Sequence, residues 1–141
     1  MRGIPGSGKS SFTKLFSGNR EVKINSVDDL HKDKEGNFSW SSENADFFYE
    51  KNFKNFTEDC KKGYPVVICD CVNYKIEHFD CYISTAKKFG YKSYVVTPDP
   101  ISISDSENLN LHEVPRDRLE KFYKGWESWP SSKKMRELIF K

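Results

Sequence analysis

Apolar and polar positions alternate along this chain with two different periods. Phe12, Leu15 and Phe16 recur at helical spacing between Ser10 and Phe16, with Gly18 as a stop, so a helix is predicted there. Val22 to Ser26 reads as a short strand. From Asn44 to Cys60 the apolar positions fall at 45, 48, 49, 53, 56 and 60, the stripe of a long amphipathic helix closed by Lys61, Lys62 and Gly63. The run Pro65-Val66-Val67-Ile68-Cys69-Asp70 is continuously apolar up to its last residue. That pattern predicts a strand buried on both faces, and therefore a parallel sheet.

A further helix is predicted from Tyr74 to Phe89, with Ile76, Phe79, Ile83 and Ala86 on one stripe and Gly90 as its stop. The strand Tyr91 to Thr97 follows and ends at Pro98 and Pro100. Strands separated by helices are βαβ units, whose right-handed crossovers build an α/β fold: an open parallel sheet with helices on both faces. The polar stretch Ile101 to His112 reads as a short mobile helix. Pro115 then opens a helix through Leu119, Phe122, Tyr123 and Trp126. Past Ser128, the residues Met135, Leu138 and Ile139 suit a small docking helix, with too little apolar face for a membrane-binding role.

Composition narrows the class. The chain has 141 residues, 36% hydrophobic, 31% charged and 15% aromatic, which suits one domain and excludes two ordinary ones. No run approaches a membrane span, and Met1 to Gly6 lack the apolar core of a signal peptide, so an intracellular protein, cytoplasmic or nuclear, is expected. A formal charge of +2 falls short of the footprint of a dedicated nucleic-acid binder. Cys60, Cys69, Cys71 and Cys81 form no Cys-x-x-Cys pair, and His31, His78 and His112 are scattered, which argues against zinc. Cys69 and Cys71, two apart on a strand, are expected on one face as small buried hydrophobes.

The chemistry concentrates in Gly3-Ile4-Pro5-Gly6-Ser7-Gly8-Lys9-Ser10, a complete G-x-x-x-x-G-K-[ST] directly before a helical pattern. Gly3, Pro5, Gly6, Ser7 and Gly8 would wrap backbone N–H groups around a phosphate. Lys9 would reach the β- and γ-phosphates of ATP, and the Ser10 hydroxyl would take a Mg²⁺ coordination position. The alternative is a glycine turn with a solvated lysine. Asp70, at the carboxyl end of the apolar run, is the second candidate metal ligand, or else a helix-capping aspartate. Asn73 reads as the cap of the next helix. Asp28 and Asp29 follow the first strand at the same edge, where one carboxylate can accept the proton of an attacking hydroxyl; the alternative is a solvated turn.

These blocks together, from Arg2 to Ser10, Ser26-Val27-Asp28-Asp29, Val67 to Asn73, His112-Glu113-Val114-Pro115 and Trp126-Glu127, resemble a P-loop kinase-type domain. The chain is similar to the Nedd-four-binding-protein-two-like proteins and, more distantly, to the kinase domain of bacteriophage polynucleotide kinase. The resemblance covers residues 1 to about 127 and leaves 128–141 as a tail. It implies that Lys9 and Ser10 bind ATP and Mg²⁺, that Asp28 is the acceptor-activating base, that Asp70 is the acid of the Asp-x-Thr-Asn block, and that the acceptor is a nucleic-acid 5′-hydroxyl. Val72 replaces the threonine of that block, His31 stands at an acceptor-binding arginine, and Leu109 stands at the lid arginine. Arg116 and Arg118 are the candidate replacements. Two further readings remain open: a degenerate nucleotide-binding or protein-interaction domain, and a small-molecule kinase. Because only Met1 and Arg2 precede Gly3, the sheet is expected to lack the first central strand that a P-loop follows, as in an N-terminally shortened product.

Overall fold

In a parallel pair the carboxyl ends of both strands lie at one edge, and this arrangement sets up the site. The computed structural model describes residues 1–39 and 43–130, and the backbone of 137–140. Strand β1 (Val22–Ser26) pairs in parallel with β2 (Val66–Asp70), with Val22 opposite Val66 and Ser26 opposite Asp70. Strand β3 (Val95–Pro98) pairs in parallel with β4 (Glu137–Phe140). Between the two pairs lie Met1 and Arg2. The Met1 amino group donates to the Cys69 carbonyl at 2.7 Å, and the Arg2 amide donates to the Val96 carbonyl at 2.9 Å.

Helices cover both sides of β2, as its two-residue period requires. Val67, Cys69 and Cys71 join a core with Phe56 and Cys60 of α3 (Ala45–Lys61) and with Phe79, Tyr82 and Ala86 of α4 (Glu77–Lys88). Asp70 points the opposite way, to Thr13 of α1 (Lys9–Lys14). Cys69 and Cys71 share a face as expected, with their sulfurs 3.7 Å apart. Asn52 lies inside the core, only 1% exposed, and its amide donates to the Tyr82 hydroxyl at 3.1 Å, which satisfies an otherwise costly buried group.

A second core joins Ile4 to Leu119 and Phe122 of α6 (Arg116–Lys124). Arg2 fastens it to the first. Its guanidinium lies 4.1 Å from the Trp126 ring centroid and 5.1 Å from that of Phe79, and Nη2 donates to the Tyr74 and Glu127 carbonyls. The remaining helices are α2 (Val27–Leu30) and α5 (Ile103–Leu109).

Several expectations are corrected. The helix expected from Tyr74 begins at Glu77, because Asn73 adopts a left-handed φ of 49° and its side chain donates to the Met1 carbonyl instead of capping. The strand expected from Tyr91 begins at Val95. The early half of β2 is open rather than buried on both faces: Val66 is 43% exposed. Helix α5 is pinned, since its Ser106 is fully buried. Residues 137–140, expected in a docking helix, form β4, because a short apolar run next to an open strand edge gains ladder hydrogen bonds there. Met135 lies outside the described residues. Among the described residues, no helix is long and apolar enough to cross a membrane.

Leu119 is fully buried whereas Leu109 is 58% exposed. Leu119→Ala should therefore cost about 2–5 kcal/mol, and Leu109→Ala no more than about 0.5 kcal/mol. Urea denaturation of the two variants checks this.

Candidate functional site

The loop from Gly3 to Gly8 turns out of the sheet into α1, and its shape depends on glycine. At Gly6 φ is 78°, and a Cβ there would stand 3.0 Å from the Ser106 carbonyl oxygen and 3.1 Å from the Asn110 amide nitrogen. Helix α5 therefore rests directly on the loop. Ser106 completes the contact by donating its hydroxyl to the Pro5 carbonyl at 2.7 Å. Asn110 holds the end of α5 by donating to the Ser106 and Glu107 carbonyls while accepting from the Val114 amide at 2.6 Å.

Lys9 turns inward. Its ammonium donates to the Ile4 carbonyl at 3.0 Å, and burial lowers its pKa while the charges of Asp70 and Asp28 oppose that shift. Burial likewise raises the Asp70 carboxyl, against the pull of Lys9, the Met1 ammonium and the Thr13 hydroxyl. Opposite charges in a dry setting sustain each other in this way. The Thr13 hydroxyl lies 3.1 Å from Asp70 Oδ2 and 3.2 Å from the Ser10 carbonyl, so it ties the first turn of α1 to the end of β2. The Ser10 side chain is exposed beside them.

Asp28 and Asp29 separate in the first turn of α2. Asp29 pairs with Lys32 at 2.5 Å, facing solvent. Asp28 instead turns toward His112, with Oδ2 at 3.7 Å from Nε2, and the His112 ring stacks on Phe38 at 4.1 Å between centroids. Burial of its hydroxyl pushes Tyr49 up to about 12, with Asp28 adding to the shift and Arg118 opposing it, although the residue as a whole is 44% exposed. Tyr49 therefore feels the charges of both Asp28 and Arg118, and the Arg118 guanidinium lies 5.8 Å from the Phe122 ring centroid. Arg116 is engaged elsewhere, with Glu107 at 2.7 Å and Glu120 at 3.5 Å. His31 is buried against Phe38 and Phe48, with its Nδ1 3.3 Å from the Ser39 carbonyl oxygen.

The carboxyl edge of β1 and β2 therefore brings Lys9, Ser10, Asp70 and Asp28 together with the glycine loop. Ser106, Thr13 and Tyr49 were not singled out by sequence reasoning. Thr13 carried a faint signal, one helical turn after Lys9 on the same face; Ser106 carried none. The residues fit a phosphate-bearing ligand with a divalent cation on one further observation. Among the described residues, the Ser7 hydroxyl is buried in the loop with no hydrogen-bond partner, a donor that a phosphate oxygen would satisfy.

No protein-family model matches the sequence. The chain is 25% identical over 154 residues to human YLP motif-containing protein 1, with 92% of this chain matched against 7% of that protein. It is 26% identical to the same protein of Rattus norvegicus, with 92% of this chain matched against 11% of that one. The chain thus spans a small fraction of the curated relatives it matches. In structure it is similar to a gluconokinase from Sinorhizobium meliloti 1021, with a TM-score of 0.63 and 18% identity, covering 98% of this chain and 78% of that one. The two chains share an α/β fold.

Ser106→Ala removes the donor to Pro5 and should cost about 1–3 kcal/mol. Gly6→Ala should cost more than Ser106→Ala, because it adds left-handed strain to the clash with α5. Chemical denaturation, with amide exchange at Ser7 and Gly8 as the local readout, tests both.

Proposed function

We propose that this chain binds ATP with Mg²⁺ at the Gly3–Ser10 loop and transfers the γ-phosphoryl group to a hydroxyl acceptor. The observation that carries this reading is electrostatic: the buried ammonium of Lys9, inside the loop, feels the carboxylates of both Asp70 and Asp28. One cation and two acids at the carboxyl edge of a parallel sheet are what in-line phosphoryl transfer uses.

In this reading the backbone of Gly3, Pro5, Gly6, Ser7 and Gly8 cradles the phosphates, together with the Ser7 hydroxyl. Lys9 leaves the Ile4 carbonyl for the β- and γ-phosphates. Ser10 and Asp70 hold the cation, which when bound neutralises charge building on the phosphate oxygens. Asp28 accepts the acceptor's hydroxyl proton as the new O–P bond forms and the bond to the departing ADP oxygen breaks. Arg118, whose charge is felt at Tyr49 as that of Asp28 is, takes the role of the lid arginine that Leu109 cannot fill. Residues 1–127 are the kinase-like unit and 128–141 its tail, of which residues 137–140 pair with β3 as β4.

The stacked rings of Phe38 and His112 beside Asp28 favour an acceptor with an aromatic base, as at a nucleic-acid 5′ end. Resemblance to polynucleotide kinase and to the Nedd-four-binding-protein-two-like proteins points the same way. A small hydroxylated acceptor is the competing substrate in the test.

Transfer from γ-labelled ATP to 5′-hydroxyl oligonucleotides and to small polyols decides between them. Oligonucleotides should be labelled, and chelating the metal should abolish labelling. Lys9→Ala should weaken ATP binding roughly ten- to a hundredfold. Asp28→Asn should keep ATP binding and lower transfer about 10²- to 10⁴-fold. Arg118→Ala should lower the transfer rate about 10³-fold or more, with little change for Arg116→Ala. Absence of transfer with intact ATP binding would favour the binding-module reading, and absence of ATP binding would refute the site.

A further inference from the structure

Helices that return from one parallel strand to the next end at the amino edge of the sheet, opposite the edge that holds Lys9, Asp28 and Asp70. Three such turns meet there: 15–21 before β1, 62–65 before β2 and 89–94 before β3. They touch one another. The Val66 amide donates to the Glu21 carbonyl at 3.2 Å, the Lys23 ammonium lies 4.6 Å from the Tyr64 ring centroid, and the Tyr91 hydroxyl donates to the Tyr64 carbonyl at 2.6 Å. The length of β2, roughly 16 Å, separates this surface from the acidic edge.

The surface is basic. Lys14, Arg20 and Lys23 flank or lie in the first turn. Lys61 and Lys62 begin the second, and Lys87, Lys88 and Lys92 belong to the third. Across 14–23, 58–66 and 87–94 these eight cations meet three acids, Glu21, Glu58 and Asp59, in a chain whose formal charge is +2, so the rest of the molecule is net negative. Asp59 is engaged by the Asn25 amide at 3.1 Å. All the cations but Lys23 are exposed, and among the described residues none of the eight forms an ion pair. The helix dipole accounts for the lysines of the last helical turns. It does not account for Arg20, Lys23 and Lys92, which stand beyond the range of that field.

A cluster of unpaired cations attracts a polyanion by releasing the counterions condensed on it. Two rings select among polyanions. Phe89 and Tyr94, 42% and 60% exposed, stand in the third turn beside Lys88 and Lys92, and an open ring offers stacking to a base that is not already paired. A lipid surface calls instead for an amphipathic helix with cations along one face, whereas these cations sit on turns between helices and strands. We propose that this surface binds single-stranded nucleic acid, with phosphates along the cations of the three turns and bases against Phe89 and Tyr94. It is a second site, at the other end of the strands from the glycine loop, and stands independently of nucleotide binding.

The test is fluorescence anisotropy of a short oligothymidylate labelled at its 5′ end, which removes the acceptor hydroxyl, with no ATP present. Lys62→Glu, Lys88→Glu and Lys92→Glu together should weaken binding at least about tenfold. Lys51→Glu, Lys54→Glu and Lys121→Glu, the same charge change elsewhere, should weaken it less than about threefold. Each phosphate contact contributes about 0.7 to the slope of log K against log salt, so the first triple variant should flatten that slope by about 2. Tyr94→Ser should weaken binding about fivefold or more at an unchanged slope, and Lys9→Ala should leave it as it is. If the triple reversal unfolds the protein, Lys62→Gln, Lys88→Gln and Lys92→Gln together must flatten the slope equally. Equal losses in the two glutamate triples would overturn the proposal. So would equal affinity for a duplex of the same length, for polyglutamate or for phosphatidylserine vesicles.

Discussion

A buried ammonium is the constraint from which the rest of the site follows. Lys9 lies within the protein with one carbonyl partner, that of Ile4, and an isolated charge so placed would be strongly destabilising. Asp70 and Asp28 supply the compensating field, and they do so only because β1 and β2 run parallel in a register that sets Ser26 opposite Asp70. A one-residue slip of β2 would turn Asp70 into the α3–α4 core and bring an apolar neighbour to Thr13. The register, the helix entry at Lys9 and the polarity of the edge are therefore one arrangement.

The part of the site near the loop is defined by local pattern, and that part was legible. A glycine-rich turn before a helix, an acid after an apolar run and an acidic pair after a strand each mark an element's end, where ligands gather. Asp28 and Asp29 were not distinguishable by pattern alone; the structure separates them by what lies opposite, Lys32 for one and His112 for the other. The strand order was less legible, because residues 137–140 are short and apolar and either helix or strand accommodates them until β3 offers an edge. Ser106 and Asn52 were illegible for a common reason. Each is a polar residue buried by contacts from distant segments, Pro5 and Tyr82 respectively, and no local period announces such a partner.

Leu109 is exposed and its backbone, not its side chain, meets Gly6. Arg116 is held by Glu107 and Glu120 on the outer face of α5 and α6, whereas Arg118, two residues on, lies over the Phe122 ring and its charge is felt at Tyr49. Helical geometry sends residues two apart to different faces, so Arg116 and Arg118 do not share one. Ser106 bonds α5 to the loop at Pro5 and Asn110 fastens the end of α5, so α5 lies against Gly6 without any arginine at position 109.

The central claim is that the carboxyl edge of β1 and β2 holds a metal–nucleotide complex, and paramagnetic relaxation by Mn²⁺ in place of Mg²⁺ tests it most directly. Titrating Mn²⁺ with ATP into isotopically labelled protein should broaden the amide signals of Ser10, Asp28 and Asp70 first and leave those of Lys87 and Lys88, at the far end of α4, sharp. Broadening centred on surface carboxylates such as Asp33 and Glu35, or no broadening that depends on ATP, would contradict it.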